Sequence, residues 1–344
     1  MAGHSASASS VSEERLHAWS LQYIRLKATV VLMRTLMYSL KSLHPLIRGP
    51  QPALPHAFER QEVNLPSRQS GRTIKAHIYR SKHVAPTSDG DLAPLPVHIS
   101  WHGSGFVLPN LGEDYGFVAH VLRKLGPNCI FVDADYRKAP EHPFPAASHD
   151  AQDVVNYVLS QPKVYDADRI TLGGVSAGGN LALVVGAQLG PQRIAGVAAL
   201  YSAVDFTIKP GTRPLPTKDR PDSGFPLPTW MSHIFVDSYF VREEDKSHPL
   251  CSVYYVDAAR FPPLLLASGQ VDYLHAASEK LVRKLTDAGR TDARFISVEK
   301  EGHGFDKIPR GPASVKRRDY VYDEFADFIQ QSWSKTSAPR KAQL

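Results

Sequence analysis

The sequence predicts an α/β protein with a mostly parallel central sheet and helices on both faces. Six short apolar runs have the length of buried strands: Val97–Trp101, Ile130–Asp133, Arg169–Leu172, Ile194–Leu200, Leu264–Ser268 and Arg294–Val298. Helical patterns near 114–125, 146–160, 177–189, 276–289 and 315–332 fall between and after them. Strands that alternate with helices of this length need crossover connections, which make neighbouring strands parallel. The chain has 344 residues, 42% hydrophobic and 22% charged, enough for a large core in one α/β domain with embellishments.

Taken in order, residues 1–20 are Ser/Ala-rich and polar and are expected to be disordered or frayed. Residues 21–45 read as a helix that stops before Pro45, because a residue preceding proline disfavours the α conformation. Leu21, Ile24, Ala28, Val31 and Leu32 recur at helical spacing and define its apolar stripe. Two readings of that helix stay open: it packs on the protein's own body, or its basic residues and apolar stripe lie on a membrane surface. Pro50, Pro52 and Pro55 mark a connector. Alternation at 60–65 and 73–80 predicts an antiparallel strand pair, followed by a Pro/Asp/Gly loop at 83–95. Between Asp205 and Arg260 six prolines precede an aromatic stretch, Trp230 to Phe240, in an insertion far longer than an ordinary connection. Its apolar second half argues for a lid. The expected organisation is therefore tail and lid helix (1–55), first part of the core (56–204), lid insertion (205–260) and second part of the core (261–344).

Composition excludes several classes. Forty Lys and Arg against 34 Asp and Glu leave a net charge of +6, scattered along the chain. The densest cluster, Lys316-Arg317-Arg318, reads as a solvated helix face, and no nucleic-acid motif is present. Cys129 and Cys251 are too few for a disulfide framework, Cys129 reads as a buried apolar residue, and no metal-ligand spacing is seen. The first residues lack the apolar core of a secretory signal, and Arg25, Lys27 and Arg34 interrupt the most apolar stretch before it could span a bilayer. A cytoplasmic location is expected. The C-terminal Ala342-Gln343-Leu344 loosely resembles a peroxisomal address, which is the alternative.

The chemistry concentrates in a few short stretches. Gly174-Val175-Ser176-Ala177-Gly178 fits G-x-S-x-G directly after one strand and before an Ala/Leu/Val helical run, the setting of a nucleophile elbow. A serine hydroxyl is a weak nucleophile until an imidazole accepts its proton, and the imidazole needs a carboxylate to hold its tautomer. Asp272 follows the strand Leu264–Ser268, and His303 lies 31 residues further on, between two glycines after the last strand. Both sit at strand C-terminal ends, where open α/β sheets place their sites. His102-Gly103-Ser104-Gly105 follows another strand and offers backbone N–H groups for an oxyanion, with Ala177 supplying one more. His102 reads as a brace for that loop.

These stretches, with Tyr136-Arg137-Lys138-Ala139-Pro140-Glu141-His142-Pro143-Phe144-Pro145-Ala146-Ala147 and Glu301 to Phe305, resemble the hormone-sensitive-lipase-like family of α/β-hydrolases, which includes carboxylesterases and arylacetamide deacetylases. The resemblance covers residues 95–310. It implies an α/β-hydrolase fold with a helical lid and no cofactor or metal. It makes Ser176 the nucleophile, Asp272 the orienting acid, His303 the base, and Gly103, Ser104, Gly105 and Ala177 the oxyanion hole. Two positions depart from the family: Val175 stands where an Asp is usual, and Ser104 replaces the middle glycine of the HGGG loop. The hydroxymethyl of Ser104 is expected to crowd the pocket.

The function expected is hydrolysis of a small, moderately apolar ester through an acyl-enzyme, with Trp230, Phe235 and Tyr239 of the lid touching substrate. A long-chain lipase is disfavoured because no extended apolar patch is apparent. An acyltransferase or lactone-forming enzyme is the alternative, since a triad does not distinguish water from an alcohol. A non-catalytic receptor is the third reading: plant gibberellin receptors share the scaffold but lack the histidine. The partners expected are a small-molecule ester and, as an open case, a second copy of the chain.

Overall fold

Alternating residues in β1 (Phe58–Pro66) and β2 (Thr73–Ser81) pair antiparallel, Phe58 opposite Ser81 and Pro66 opposite Thr73, as the period-two pattern requires. In this computed structural model, residues 20–42, 53–82 and 93–335 are described, apart from 216 and 218. Residues 1–19 of the frayed tail expected over 1–20, the helix stop at Pro45, Pro50 and Pro52, most of the 83–95 loop and the terminal Ala342-Gln343-Leu344 lie outside the described residues.

The remaining strands are β3 (Leu95–Trp101), β4 (Ile130–Ala134), β5 (Tyr165–Val175), β6 (Gly196–Leu200), β7 (Leu264–Val271) and β8 (Ala293–Gly302). They complete an eight-stranded sheet of order β1-β2-β4-β3-β5-β6-β7-β8. β2 meets β4 antiparallel, and every pairing from β4 to β8 is parallel. Strands β4 and β6 are buried throughout, which is why they read as continuous apolar runs rather than alternations.

Among the described residues seven helices accompany the sheet: α1 (Leu21–Ser42), α2 (Tyr115–Leu125), α3 (Ala146–Leu159), α4 (Ala177–Leu189), α5 (Thr229–Tyr239), α6 (His275–Asp287) and α7 (Gly311–Lys335). One core cluster joins Leu181, Val184 and Val185 of α4 to Ile99, Leu172 and Val197 of the sheet. The other joins Phe117 and Leu122 of α2 to Phe325 and Ile329 of α7 beneath Phe131 and Leu265. Each such side chain, taken fully out of water, contributes on the order of 1.5–3 kcal/mol before entropy is counted. Helix α4 is apolar on all sides because it is buried on all sides.

The insertion between β6 and β7 folds as α5 and short 3-10 turns at Glu244–Ser247, Val253–Tyr255 and Ala258–Arg260. Its proline-rich half pairs with the end of β8: Gly302 N–H donates to Ser223 (2.9 Å), and Phe225 and His303 exchange backbone hydrogen bonds of 3.1 and 2.8 Å.

Helix α1 corrects one expectation. The face that packs inward is Leu26, Val30, Met33 and Met37, whereas Leu21 is 86% and Leu32 68% exposed. Both stripes have helical spacing, so periodicity alone does not choose between them. Arg34 decides the rotation: it donates to the carbonyls of Val107 (2.8 Å) and Ala139 (2.9 Å) and pairs with Glu141 (2.5 Å), which Lys27 also contacts. Among the described residues no helix is long and apolar enough to cross a membrane.

Candidate active site

Four strands end one residue before four candidate site residues. β3 stops before His102, β5 before Ser176, β7 before Asp272 and β8 before His303. Parallel registration then brings them together: Trp101 lies opposite Gly174, Val175 opposite Leu200, and Val271 opposite Gly302.

Ser176 occupies the turn between β5 and α4 at φ 53° and ψ −118°, a conformation that costs a non-glycine residue on the order of 1–3 kcal/mol. The surroundings enforce it. Ser176 N–H donates to the Leu200 carbonyl (2.9 Å), and the carbonyl of Ser176 accepts from Asn180 (3.0 Å). A Cβ on Gly178 would lie 1.9 Å from the Trp101 carbonyl oxygen, so the strand and the helix start approach this closely only with glycine there.

His303 Nε2 lies 3.1 Å from Ser176 Oγ, and His303 Nδ1 lies 2.8 Å from Asp272 Oδ2. Asp272 is fully buried, and its second oxygen accepts the Leu274 N–H at 2.9 Å. A carboxylate only accepts, so Nδ1 carries the imidazole proton and Nε2 presents its lone pair to the serine hydroxyl. The ring of Tyr201 packs 4.7 Å from the His303 ring, and its hydroxyl donates to Asp306 at 2.6 Å. Tyr322 donates to the other oxygen of Asp306 at 2.8 Å, and Lys307 bridges Asp306 (3.1 Å) and Asp114. Burial, and then the charge of Asp306, push the Tyr201 hydroxyl far above its ordinary range. The sequence reading missed Tyr201, Asp306 and Lys307, whose residue types carry no spacing signal.

The loop Gly103–Gly105 faces the serine: a Cβ on Gly103 would stand 3.3 Å from Ser176 Cβ. None of the three loop N–H groups donates to a backbone carbonyl among the described residues. Ala177 opens α4, so its N–H has no acceptor within the helix. Ser104 lines the pocket, and its hydroxyl is engaged within the protein. It accepts the Phe106 N–H (2.8 Å) and meets the Tyr136 hydroxyl (2.6 Å), which itself donates to the His102 carbonyl (2.7 Å). His102 stacks on Tyr136 at 4.7 Å and reaches Asp135 at 3.0 Å. Burial, assisted by Lys138, lowers the His102 pKa against the opposing pull of Asp135. Lys138, 3.5 Å over the Tyr136 ring and 2.6 Å from Asp135, is brought down to about 8 by burial.

Before Ser176 opens a pocket of about 440 Å³. Phe235 and Trp230 of α5 line it as the sequence suggested, and a Cβ on Gly105 would meet the Phe235 ring at 2.3 Å. Tyr239 does not line it. That residue is fully buried, its ring stacked 3.8 Å from Phe106 and edge-on to Phe144, because the helix turns it toward the core. Met33, Leu36 and Met37 of α1 line the pocket too, with Leu108, Phe225 and Ile308. Among the described residues no cluster of three or more His, Cys, Asp or Glu side chains could hold a metal ion.

A family model described as alpha/beta hydrolase fold matches residues 98–307. The chain belongs to that family, in its hormone-sensitive-lipase-like branch. As an alpha/beta hydrolase it is similar to an esterase of Pyrobaculum calidifontis: TM-score 0.67, 25% identity, 88% of this chain and 92% of that one. It is 28% identical to an ethyl acetate hydrolase of Pseudomonas putida over 64% of this chain and 68% of the relative. It is also 26% identical to the gibberellin receptor of Oryza sativa over 69% and 67%. Two further curated relatives are spanned over only 64% and 31% of their own lengths.

Proposed function

We propose that this alpha/beta hydrolase is a serine carboxylic-ester hydrolase acting on a small, moderately apolar ester. The observation that carries the reading is the unbroken hydrogen-bonded relay from Ser176 Oγ through His303 to the buried Asp272. In this reading Ser176 attacks the ester carbonyl while His303 Nε2 takes its proton. Asp272 holds the tautomer and stabilises the imidazolium. The N–H groups of Gly103, Ser104, Gly105 and Ala177 are the candidate donors to the oxyanion, preorganised because the loop and the helix start are fixed before substrate arrives. His303 then returns the proton to the departing alcohol, and water, activated the same way, releases the acid.

The esterase likeness supports this activity, and the pocket supports the substrate class. Its walls are mostly apolar, and a pocket of this size suits an ester of modest bulk. Trp230 and Phe235 would pack on the substrate. The receptor likeness favours a second reading, a binder on the same scaffold. The retained histidine in contact with Ser176 weighs against it.

Turnover of p-nitrophenyl esters of increasing acyl length, beside Ser176→Ala, separates the two. The expected result is activity highest at short acyl chains and reduced in the variant by roughly 10⁴-fold or more. Equal rates for both proteins on every ester would leave the binder. Ester products appearing only when an alcohol is added would shift the reading to acyl transfer.

A further inference from the structure

We infer that Met33, Met37 and Met231 form an oxidative modification site, at which hydrogen peroxide converts the pocket's thioethers to sulfoxides and weakens its hold on apolar esters. The chain has four methionines, Met1 and these three. Met1 lies outside the described residues, and every described methionine lines the pocket before Ser176. Two helices far apart in the chain supply them. Met33 and Met37 stand one turn apart on the inward face of α1, and Met231 comes from α5. Leucine would fill the same walls with carbon alone. Methionine adds a polarisable sulfur that an oxidant can reach and change.

Access and selectivity both favour these sulfurs. All three residues are partly buried rather than sealed, and the exposed side chains Phe225, Trp230 and Ile308 border the same pocket, so it stands open to a solute hardly larger than water. The cysteines do not compete. Cys129 and Cys251 are buried, and burial pushes both thiols up, that of Cys129 to about 12. A thiol reacts as its thiolate, whereas a thioether needs no ionisation. The step balances with peroxide alone. A methionine sulfur gives an electron pair to one peroxide oxygen, the O–O bond breaks, and that oxygen stays on sulfur. The second oxygen leaves as water with both protons, so sulfur is oxidised and peroxide reduced by two electrons. Each sulfoxide then places a strong acceptor in a wall where Leu36, Leu108 and Phe235 offer it no donor. An apolar substrate that strips water from that acceptor binds less well. Ser176, His303 and Asp272 are untouched by the change, so the loss falls on KM rather than kcat. That kinetic consequence rests on the ester-hydrolase reading; the oxidation and the lost affinity do not.

The test treats the full chain with hydrogen peroxide, maps the products by mass spectrometry and follows the circular dichroism spectrum. The expected result is an added oxygen on Met33, Met37 and Met231, none on either cysteine, and an unchanged spectrum. KM for p-nitrophenyl butyrate rises roughly tenfold while kcat stays within about twofold. Methionine sulfoxide reductases bring KM back. Calorimetry with Ser176→Ala reads the same pocket without turnover, and its affinity for that ester falls by a similar factor. Each variant is compared with its own untreated sample. Met33→Leu/Met37→Leu/Met231→Leu keeps Met1, and peroxide leaves its KM where it was. Met231→Leu alone shows a smaller rise than wild type, which serves if the triple variant does not fold. A protein that hydrolyses no ester before treatment, yet loses affinity for it afterwards, would keep the modification site and remove the function. Sulfurs that resist peroxide, sulfoxides that change neither KM nor affinity, or an equal rise in the triple variant overturn the inference. So does a spectrum lost on treatment, which would make the effect unfolding.

Discussion

At the scale of single residues, Ser104 shows how a departure from a family pattern is resolved by geometry. The His102 carbonyl can only accept, so the Tyr136 hydroxyl gives its proton there, and Ser104 must give its own proton to Tyr136. One lone pair of Ser104 Oγ takes the Phe106 N–H. Both hydroxyl protons of the chain are used, and neither is left to donate to substrate. The hydroxyl therefore acts on the reaction only by fixing the loop that carries the Gly103 and Gly105 amides, a positioning role. Ser104→Ala removes a donor and strands the Phe106 N–H, and Tyr136→Phe cuts the same chain one step earlier. Both variants are expected to lower kcat about tenfold while KM stays within about twofold, since a displaced loop weakens the transition state more than the ground state. Steady-state kinetics on one ester would decide, and a rise in KM alone would show that Ser104 shapes the pocket instead. Ser176, Asp272 and His303 could be singled out together from the sequence because glycine, strand and order surround each of them. The direction of the Ser104 side chain could not, since it depends on Tyr136, 32 residues away.

At the scale of elements, the same contrast separates the strands from α1. Runs such as Ile130–Asp133 admit only one buried fate, and the structure has β4 at Ile130–Ala134. Helix α1 is apolar on two faces, and the choice between them is made by Glu141, a residue more than a hundred positions away in the chain. Burial opposes the effect, but hydrogen bonds from Arg34 and Lys27 bring the Glu141 carboxyl down to about 2. A carboxyl depressed in the folded state adds stability above its unfolded pKa of about 4.3, and that stability is lost as the pH falls toward 2. With the carboxylate about a quarter exposed, the clamp is worth about 1–2 kcal/mol after solvent screening. Glu141→Gln is expected to lower the hydrogen-exchange protection of α1 amides by roughly tenfold at pH 7, with the sheet amides unchanged. Wild type taken to pH 3 should move the same way. Equal protection of α1 in both proteins would mean that Leu26 and Val30 hold the helix without the charges. Because Met33 and Met37 form part of the pocket wall, a loosened α1 should also raise KM for apolar esters.

At the scale of the whole molecule, segments far apart in sequence converge two residues before His303. Glu301 is fully buried at the end of β8. One of its carboxylate oxygens accepts from Ser314 (2.5 Å) and Arg317 (2.9 Å) of α7, and the other from the Ser223 N–H of the insertion (3.0 Å). Arg317 also reaches Asp222 at 2.8 Å. One carboxylate thus ties the last helix and the insertion between β6 and β7 to the strand that carries His303. Composition and charge gave no hint of it: the cluster Lys316-Arg317-Arg318 reads as a solvated face, and for Lys316, which is exposed, that reading is correct. Arg317 differs because its guanidinium reaches past the helix surface to a buried anion, a contact visible only once β8 and α7 are packed. Removing it leaves a carboxylate without its cation in a dry site, which is costlier than the pair was worth. Since Arg317 is itself a quarter exposed, water can partly replace it, and about 2–3 kcal/mol is the expected loss for Arg317→Met. Spread over an unfolding entropy of about 0.7 kcal/mol/K for a chain of this size, that lowers the thermal midpoint by about 3–4 °C. Lys316→Met should shift it by less than about 1 °C. Calorimetry of the two variants side by side makes the comparison, and equal midpoints would return Arg317 to the solvated surface and leave Glu301 held by Ser314 and the Ser223 amide alone.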